Sequence, residues 1–179
     1  SLVDRALGRF PSHSFLRYEA SLLGSNDPSL LSHLAGDPER VLEIASDYFS
    51  AGRYDDALRL LERDWSVGEG VEVREPGQVG PEQYPLIAYA AAYARAQAGQ
   101  PYAAALDTAA ELPLRGIFAN RQLSKRVLDW VVSERPSDAG AHWLLGGLKL
   151  QSAHFEDGRR LWDTARARRS GLPALHRSH

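Results

Sequence analysis

Six His side chains, at positions 13, 33, 142, 154, 176 and 179, are the residues of this chain best suited to metal or proton chemistry. None forms an H-E-x-x-H pair on one helical face, the spacing that brings two imidazoles to one zinc ion. Cys is absent, which removes thiolate catalysis, disulfide staples and Cys-ligated zinc together. Asp55 and Asp56 directly follow a glycine turn, where carboxylates favour the positive end of a helix. They read as capping groups before they read as acid–base catalysts. No Gly-rich phosphate loop or nucleophile elbow is present, so neither catalysis, a metal nor a cofactor is expected. The cluster Arg159, Arg160, Arg166, Arg168, Arg169 and Arg177 could bind phosphate, but Asp157 and Asp163 lie among it and cations suit a helix C-terminus.

Composition narrows the class further. The 179 residues carry 21 basic and 23 acidic side chains, a net charge of -2, so no overall field recruits nucleic acid or anionic lipid. No apolar run approaches the ~20 residues that span a bilayer. The opening SLVDRALGRF lacks the apolar core of a secretory signal. Met is absent even at position 1, which suggests a segment excised from a longer protein; the cytoplasm is the expected compartment, though no residue dictates it. Only Lys125 and Lys149 accompany the many Arg, a bias that suggests a GC-rich genome.

The elements that would position any site are helices. Val41, Ile44, Ala45 and Tyr48 recur at helical spacing, Gly52 supplies a left-handed stop, and Tyr54, Ala57, Leu58 and Leu61 make the facing stripe. Upstream, 1–36 reads as short helices broken at Pro11 and restarted at Asp27-Pro28 and Asp37-Pro38. Residues 64–83 are an insertion rich in Gly and Glu, where Val67, Val71 and Val73 could form a hairpin or a loop and mobility is expected. A second helix–Gly–helix rhythm spans 84–111 around Gly99. A further helix within 112–136 carries Val127, Leu128, Val131 and Val132 as its stripe. A last pair, opened by Pro136-Ser137-Asp138, covers 137–169, and 170–179 is a tail; Gly52, Ala57, Gly99, Ala104, Gly146 and Gly158 are the small residues expected to hold the helices close. Gly146 and Gly147 each cost ~1 kcal/mol against Ala inside a helix, which points to close helix packing as their reason.

This pattern resembles the tetratricopeptide (TPR) repeat, with W-x2-L-G-x2-Y, A-x3-F and P in a unit of about 34 residues. Val41, Ile44, Ala45, Tyr48, Ala57 and Leu61 stand at those slots in 37–64. Ala88, Ala91, Ala92, Arg95, Ala104 and Thr108 do so less well in 84–111, and Leu145, Gly146, Gly158, Trp162 and Ala165 in the last pair. The equivalent positions 57, 104 and 158 lie 47 and 54 residues apart, so the resemblance implies an irregular α-solenoid with inserted helices, all-α in class and a single domain over 1–179. The order of elements is also similar to the C-terminal helical portion of large bacterial proteins with an upstream β-sandwich of unknown function.

In TPR proteins the residues after the Trp, Gly and Tyr slots face a concave groove. Carried over, this implies a candidate binding face of Leu42, Ser46 and Phe49, then Tyr89, Tyr93 and Ala96, then Trp143, Gly147 and Leu150. The bland alternative is that these aromatic rings are core. The implied function is a scaffold for protein–protein contact, binding a protein segment, another domain of its own polypeptide or a copy of itself, with no nucleic acid, membrane or cofactor. The bacterial resemblance implies instead a helical accessory segment that braces the upstream sandwich of a carbohydrate-active enzyme.

Overall fold

The computed structural model describes residues 2–25, 27–65 and 79–168. The proposed Val67–Val73 hairpin and the tail after 169 lie outside the described residues. Every regular element among the described residues is helical, and they fall into two compact units, 1–82 and 83–179.

The first unit holds α1 (Leu2–Arg9), α2 (Ser14–Leu22), α3 (Pro28–Gly36), α4 (Pro38–Ser50) and α5 (Tyr54–Leu61). Asp27 and Asp37 start α3 and α4 by accepting from the Leu30 and Arg40 amides at 3.1 Å each, with Pro at the first helical position. Hydrogen bonds from Ser29 and the Arg17 guanidinium hold the Asp27 carboxyl below its ordinary range. α4 packs against α2, α3 and α5 and buries Val41, Ile44, Ala45 and Tyr48, the stripe expected of it. Tyr48 is the centre of this unit. Its ring meets the edges of Phe15 and Tyr18 at 5.2 and 6.4 Å, and its hydroxyl donates to Glu19 at 2.5 Å. Burial first, and that hydrogen bond second, push the phenol far above its ordinary pKa.

After a single 3-10 turn at Pro81–Gln83, the second unit contains α6 (Pro85–Gln97), α7 (Ala103–Glu111), α8 (Gln122–Glu134), α9 (Ala139–Gln151) and α10 (Phe155–Arg168). α6 is apolar nearly all round and buries Tyr89, Ala90, Ala92 and Ala94, so it is covered by α7 on one side and α8 on another. α8 bridges α6 and α9, burying Leu123, Val127, Leu128 and Val131, while Val132 is only half-buried. α7 departs from the repeat pattern. Ala104 and Thr108 are exposed, and Leu106 and Ala109 are buried instead. Leu106 lies two positions beyond Ala104, a rotation of about 200° at 3.6 residues per turn, so the stripe that meets α6 is not the one the repeat slots name.

One turn closes three of the helix pairs. At the ends of α4, α6 and α9 the amides of Gly52, Gly99 and Ala153 bond the carbonyls of Phe49, Ala96 and Leu150 at 3.1–3.2 Å. The next amides, of Arg53, Gln100 and His154, reach back to Tyr48, Arg95 and Lys149 at 2.8–2.9 Å. This double bond pattern needs a left-handed residue, and φ is +69° at Gly52, +70° at Gly99 and +60° at Ala153. Gly52 and Gly99 meet nothing where a Cβ would stand, so they serve the turn and not helix contact. Ala153 carries a side chain in a conformation that costs about 1–2 kcal/mol. Ala153→Gly is expected to raise stability by about 0.5–1 kcal/mol in urea unfolding, the relief exceeding the added unfolded-state entropy.

α9 and α10 approach most closely at Gly146 and Gly158. A Cβ on Gly146 would fall 2.5 Å from the Trp162 ring and 3.1 Å from the Gly158 carbonyl oxygen. One on Gly158 would fall 2.6 Å from Leu150 and 3.0 Å from the Gly146 carbonyl oxygen. Gly147, next along α9, has open space instead. Forcing a methyl into such a contact costs about 1–3 kcal/mol, against a gain of ~1 kcal/mol in helix propensity. Thermal melts should therefore show Gly146→Ala and Gly158→Ala destabilised, and Gly147→Ala stabilised by about 0.5–1 kcal/mol.

Candidate functional site

In the first unit the residues of the implied binding face lie on α4. Leu42 and Phe49 are buried, Phe49 against the Tyr54 ring at 5.7 Å, and Ser46 is half-buried with its carbonyl taken by the Ser50 hydroxyl at 2.7 Å. A cavity of about 320 Å³ lies beside them between the 12–14 turn and the other flank of α4. Its lining is mostly polar, with Ser12, His13 and Ser14 beside Phe15, and Arg40, Glu43 and Asp47 bring charge to it. Arg40 pairs with Glu43 at 2.9 Å.

In the second unit Tyr89 is fully buried at 0% exposure, and its hydroxyl donates to both carboxylate oxygens of Asp138 at 2.9 Å. The same carboxylate caps α9 by accepting from the Ala141 amide at 2.9 Å. His142 lies one turn on, and its Nδ1 donates to the Asp138 carbonyl at 2.7 Å, an acceptor that fixes the tautomer. Both carboxylate oxygens of Asp138 are thus engaged, and this Asp–Tyr–His group ties α6 to the start of α9. It is a structural strut. A Cβ on Gly140 would stand 3.1 Å from the Tyr89 oxygen, so glycine there admits the hydroxyl.

Tyr93, one turn along α6, belongs to a row of aromatic rings. It is 8% exposed and meets the edge of Trp130 of α8 at 5.4 Å; Trp130 in turn meets Tyr102 at 5.3 Å. Trp130 and Tyr102 are half-exposed. Charge flanks them on both sides: the Arg126 guanidinium sits 5.8 Å over the Tyr93 ring, and the exposed Glu134 accepts from the Tyr102 hydroxyl at 2.8 Å, which raises the Tyr102 pKa. Trp143 and Leu150 stand elsewhere, at the α9–α10 contact. Trp143 stacks on Trp162 at 4.6 Å, the Trp162 indole nitrogen donates to the Trp143 carbonyl at 3.1 Å, and Leu150 packs over Gly158.

The sequence-derived face therefore separates into three settings: core on α4, a strut at Tyr89, and two aromatic groups that include the buried Tyr93 and the half-buried Trp143. Trp130, Tyr102 and Arg126 were missed. Their signal was weak but present, since Trp130 follows Val127 at helical spacing on α8 and Arg126 stands one turn before it. Ionic groups elsewhere are mostly paired locally, Arg160 with Asp157 at 3.0 Å and Arg53 with Asp56 at 2.7 Å. A hollow of about 530 Å³ runs along α10 alone and so brings no groups from different elements together. Among the described residues no three His, Asp or Glu side chains are placed to hold a metal, and no helix is long and apolar enough to cross a membrane.

No protein-family model, curated protein or solved structure matches this chain. Its role rests on this geometry. Tyr89→Phe, which keeps the ring and removes the donor to a buried carboxylate, should lower stability by about 1.5–3 kcal/mol in urea unfolding. An unchanged midpoint would show that the strut contributes nothing.

Proposed function

We propose that this chain is a non-catalytic, TPR-like helical module that binds a protein segment or domain. What supports the reading is the aromatic row Tyr93–Trp130–Tyr102, in which Trp130 and Tyr102 keep part of their surface in solvent over the buried Tyr93 and are edged by Arg126 and Glu134. A centre of aromatic rings inside a charged rim is the composition of a protein-binding surface, where Trp, Tyr and Arg carry most of the energy. The rings are held by α6, α8 and the residue that precedes α7, so little ordering entropy is lost when a partner docks. The repeated helix–turn–helix closure supports the solenoid character of the module, since such hairpins bury their stripes only by stacking on neighbours. It also supports a function of docking over one of chemistry.

Selection of a displayed peptide library against the immobilised chain tests this. The expected result is enrichment of a common motif whose affinity falls at least about thirtyfold in Trp130→Ala, the scale of a hot spot. Helix content by circular dichroism should be retained. Absence of a shared motif, or equal binding by Trp130→Ala, would overturn the assignment of this surface.

A further inference from the structure

Arg126, Trp130 and Glu134 stand four residues apart on α8, so a cation, an aromatic ring and an anion follow one another at steps of about 6 Å along one stripe of the helix. Arg126 and Glu134 are exposed, and Trp130 is half-exposed. The tyrosines make the stripe continuous. Tyr93 lies 5.8 Å beneath the Arg126 guanidinium and 5.4 Å from Trp130, and Tyr102 joins Trp130 at 5.3 Å to Glu134 at 2.8 Å. The charges next to the stripe are paired beside it: Lys125 with Asp129 at 2.8 Å, and Arg135 with Asp107 of α7 at 2.6 Å.

This order of charge is not one that α8 needs for itself. A helix is stabilised by anions in its first turn and cations in its last. α5 and α10 follow that rule, with Asp55 and Asp56 before Arg59, and Glu156 and Asp157 before Arg166 and Arg168. α8 reverses it: no acidic side chain stands in its first turn and no basic one in its last, and Lys125 and Arg126 precede Asp129 and Glu134. Lys before Asp is also the less favourable orientation of an i, i+4 pair. The helix thus carries an order that costs it stability, and presenting that order to a partner gives it a use.

We infer that this stripe receives an amphipathic helix of a partner protein that carries a carboxylate, an apolar side chain and a cation at successive i, i+4 positions, opposite Arg126, Trp130 and Glu134. This inference rests on the reading of the chain as a protein-binding module and names the chemistry of the partner. Two helices share one rise per residue, so all three contacts stay in register over two turns. A helix also pairs its own backbone, whereas every regular element among the described residues is helical and offers an extended segment no strand edge. The apolar side chain over Trp130 supplies most of the affinity. The two exposed ion pairs add little to it and set which partner is chosen.

Selection of a displayed library of helical peptides, randomised along one face, against the whole chain at low salt tests this. Winners should carry acid, apolar and base in that spacing, in either chain direction. Winners against Arg126→Glu should carry a base at both ends, and those against Glu134→Arg an acid at both ends. Each set should bind the other two proteins at least about fivefold more weakly. Arg126→Gln and Glu134→Gln, which keep the shape and remove the charge, should lose the preference at the facing position alone, with helix content by circular dichroism retained. Winners whose charges are random, or stay the same across the variants, overturn the inference. So does an oligouridine of about 12 nucleotides that binds through Trp130 where no helix is selected. Winners that need Trp130 but ignore both charges refute the charge-ordered helix alone and leave the module reading standing. Winners indifferent to Trp130 overturn both.

Discussion

No helix among the described residues is long enough to be stable by itself. The described helices run from 8 to 14 residues, at or below the ~12–15 at which even favourable sequences become marginal in water. Everything else depends on burying one helix stripe against the next, and the three hairpin turns make that burial automatic. Each turn uses the same pair of backbone hydrogen bonds and one left-handed residue, so it satisfies carbonyls at the helix end and reverses the chain onto itself. α4, α6 and α9 are the first members of these pairs, each of 13 residues, and each carries the larger share of its pair's buried residues.

Packing then differs between pairs according to the side chains at the contact. Between α4 and α5 the contact is ordinary, with Ala57, Leu58 and Leu61 against the Val41–Tyr48 stripe. Between α9 and α10 two glycines face each other and backbone lies against backbone, which leaves Trp143 and Trp162 stacked beside the contact. α6 receives α8 through bulky groups, Tyr93 meeting Trp130, and reaches the start of α9 through Tyr89 and Asp138. Aromatic rings thus serve two ends. Tyr48 and Tyr89 are buried with their hydroxyls on carboxylates, which satisfies the one polar atom they carry inward. Tyr102, Trp130 and Phe118 keep part or most of their surface in solvent.

The residues that start and stop helices were legible from the chain. Asp27-Pro28 and Asp37-Pro38 open α3 and α4, Asp138 opens α9, and Gly52 and Gly99 take the left-handed turn, because caps and turns are made within a few residues of backbone. The apolar stripe of α4 was legible for the same reason, since helical spacing alone decides which residues share a face. The close contact expected at Gly146 and Gly158 is present, whereas Gly52, Gly99 and Gly147, grouped with it, stand in open space. Two adjacent glycines look alike in sequence, yet they point about 100° apart around the helix.

What the sequence determined by itself is therefore the all-helical class, the order of the elements and their caps, all local consequences of spacing and backbone conformation. Only the tertiary structure decided which face of α7 is covered, that Tyr89 is a strut to Asp138, and that Trp130 and Tyr102 form one row with Tyr93. It alone left Phe118 exposed between buried neighbours. These outcomes depend on the rotation and offset of one helix against another, which the summed packing of many side chains sets and which no single stretch of sequence carries.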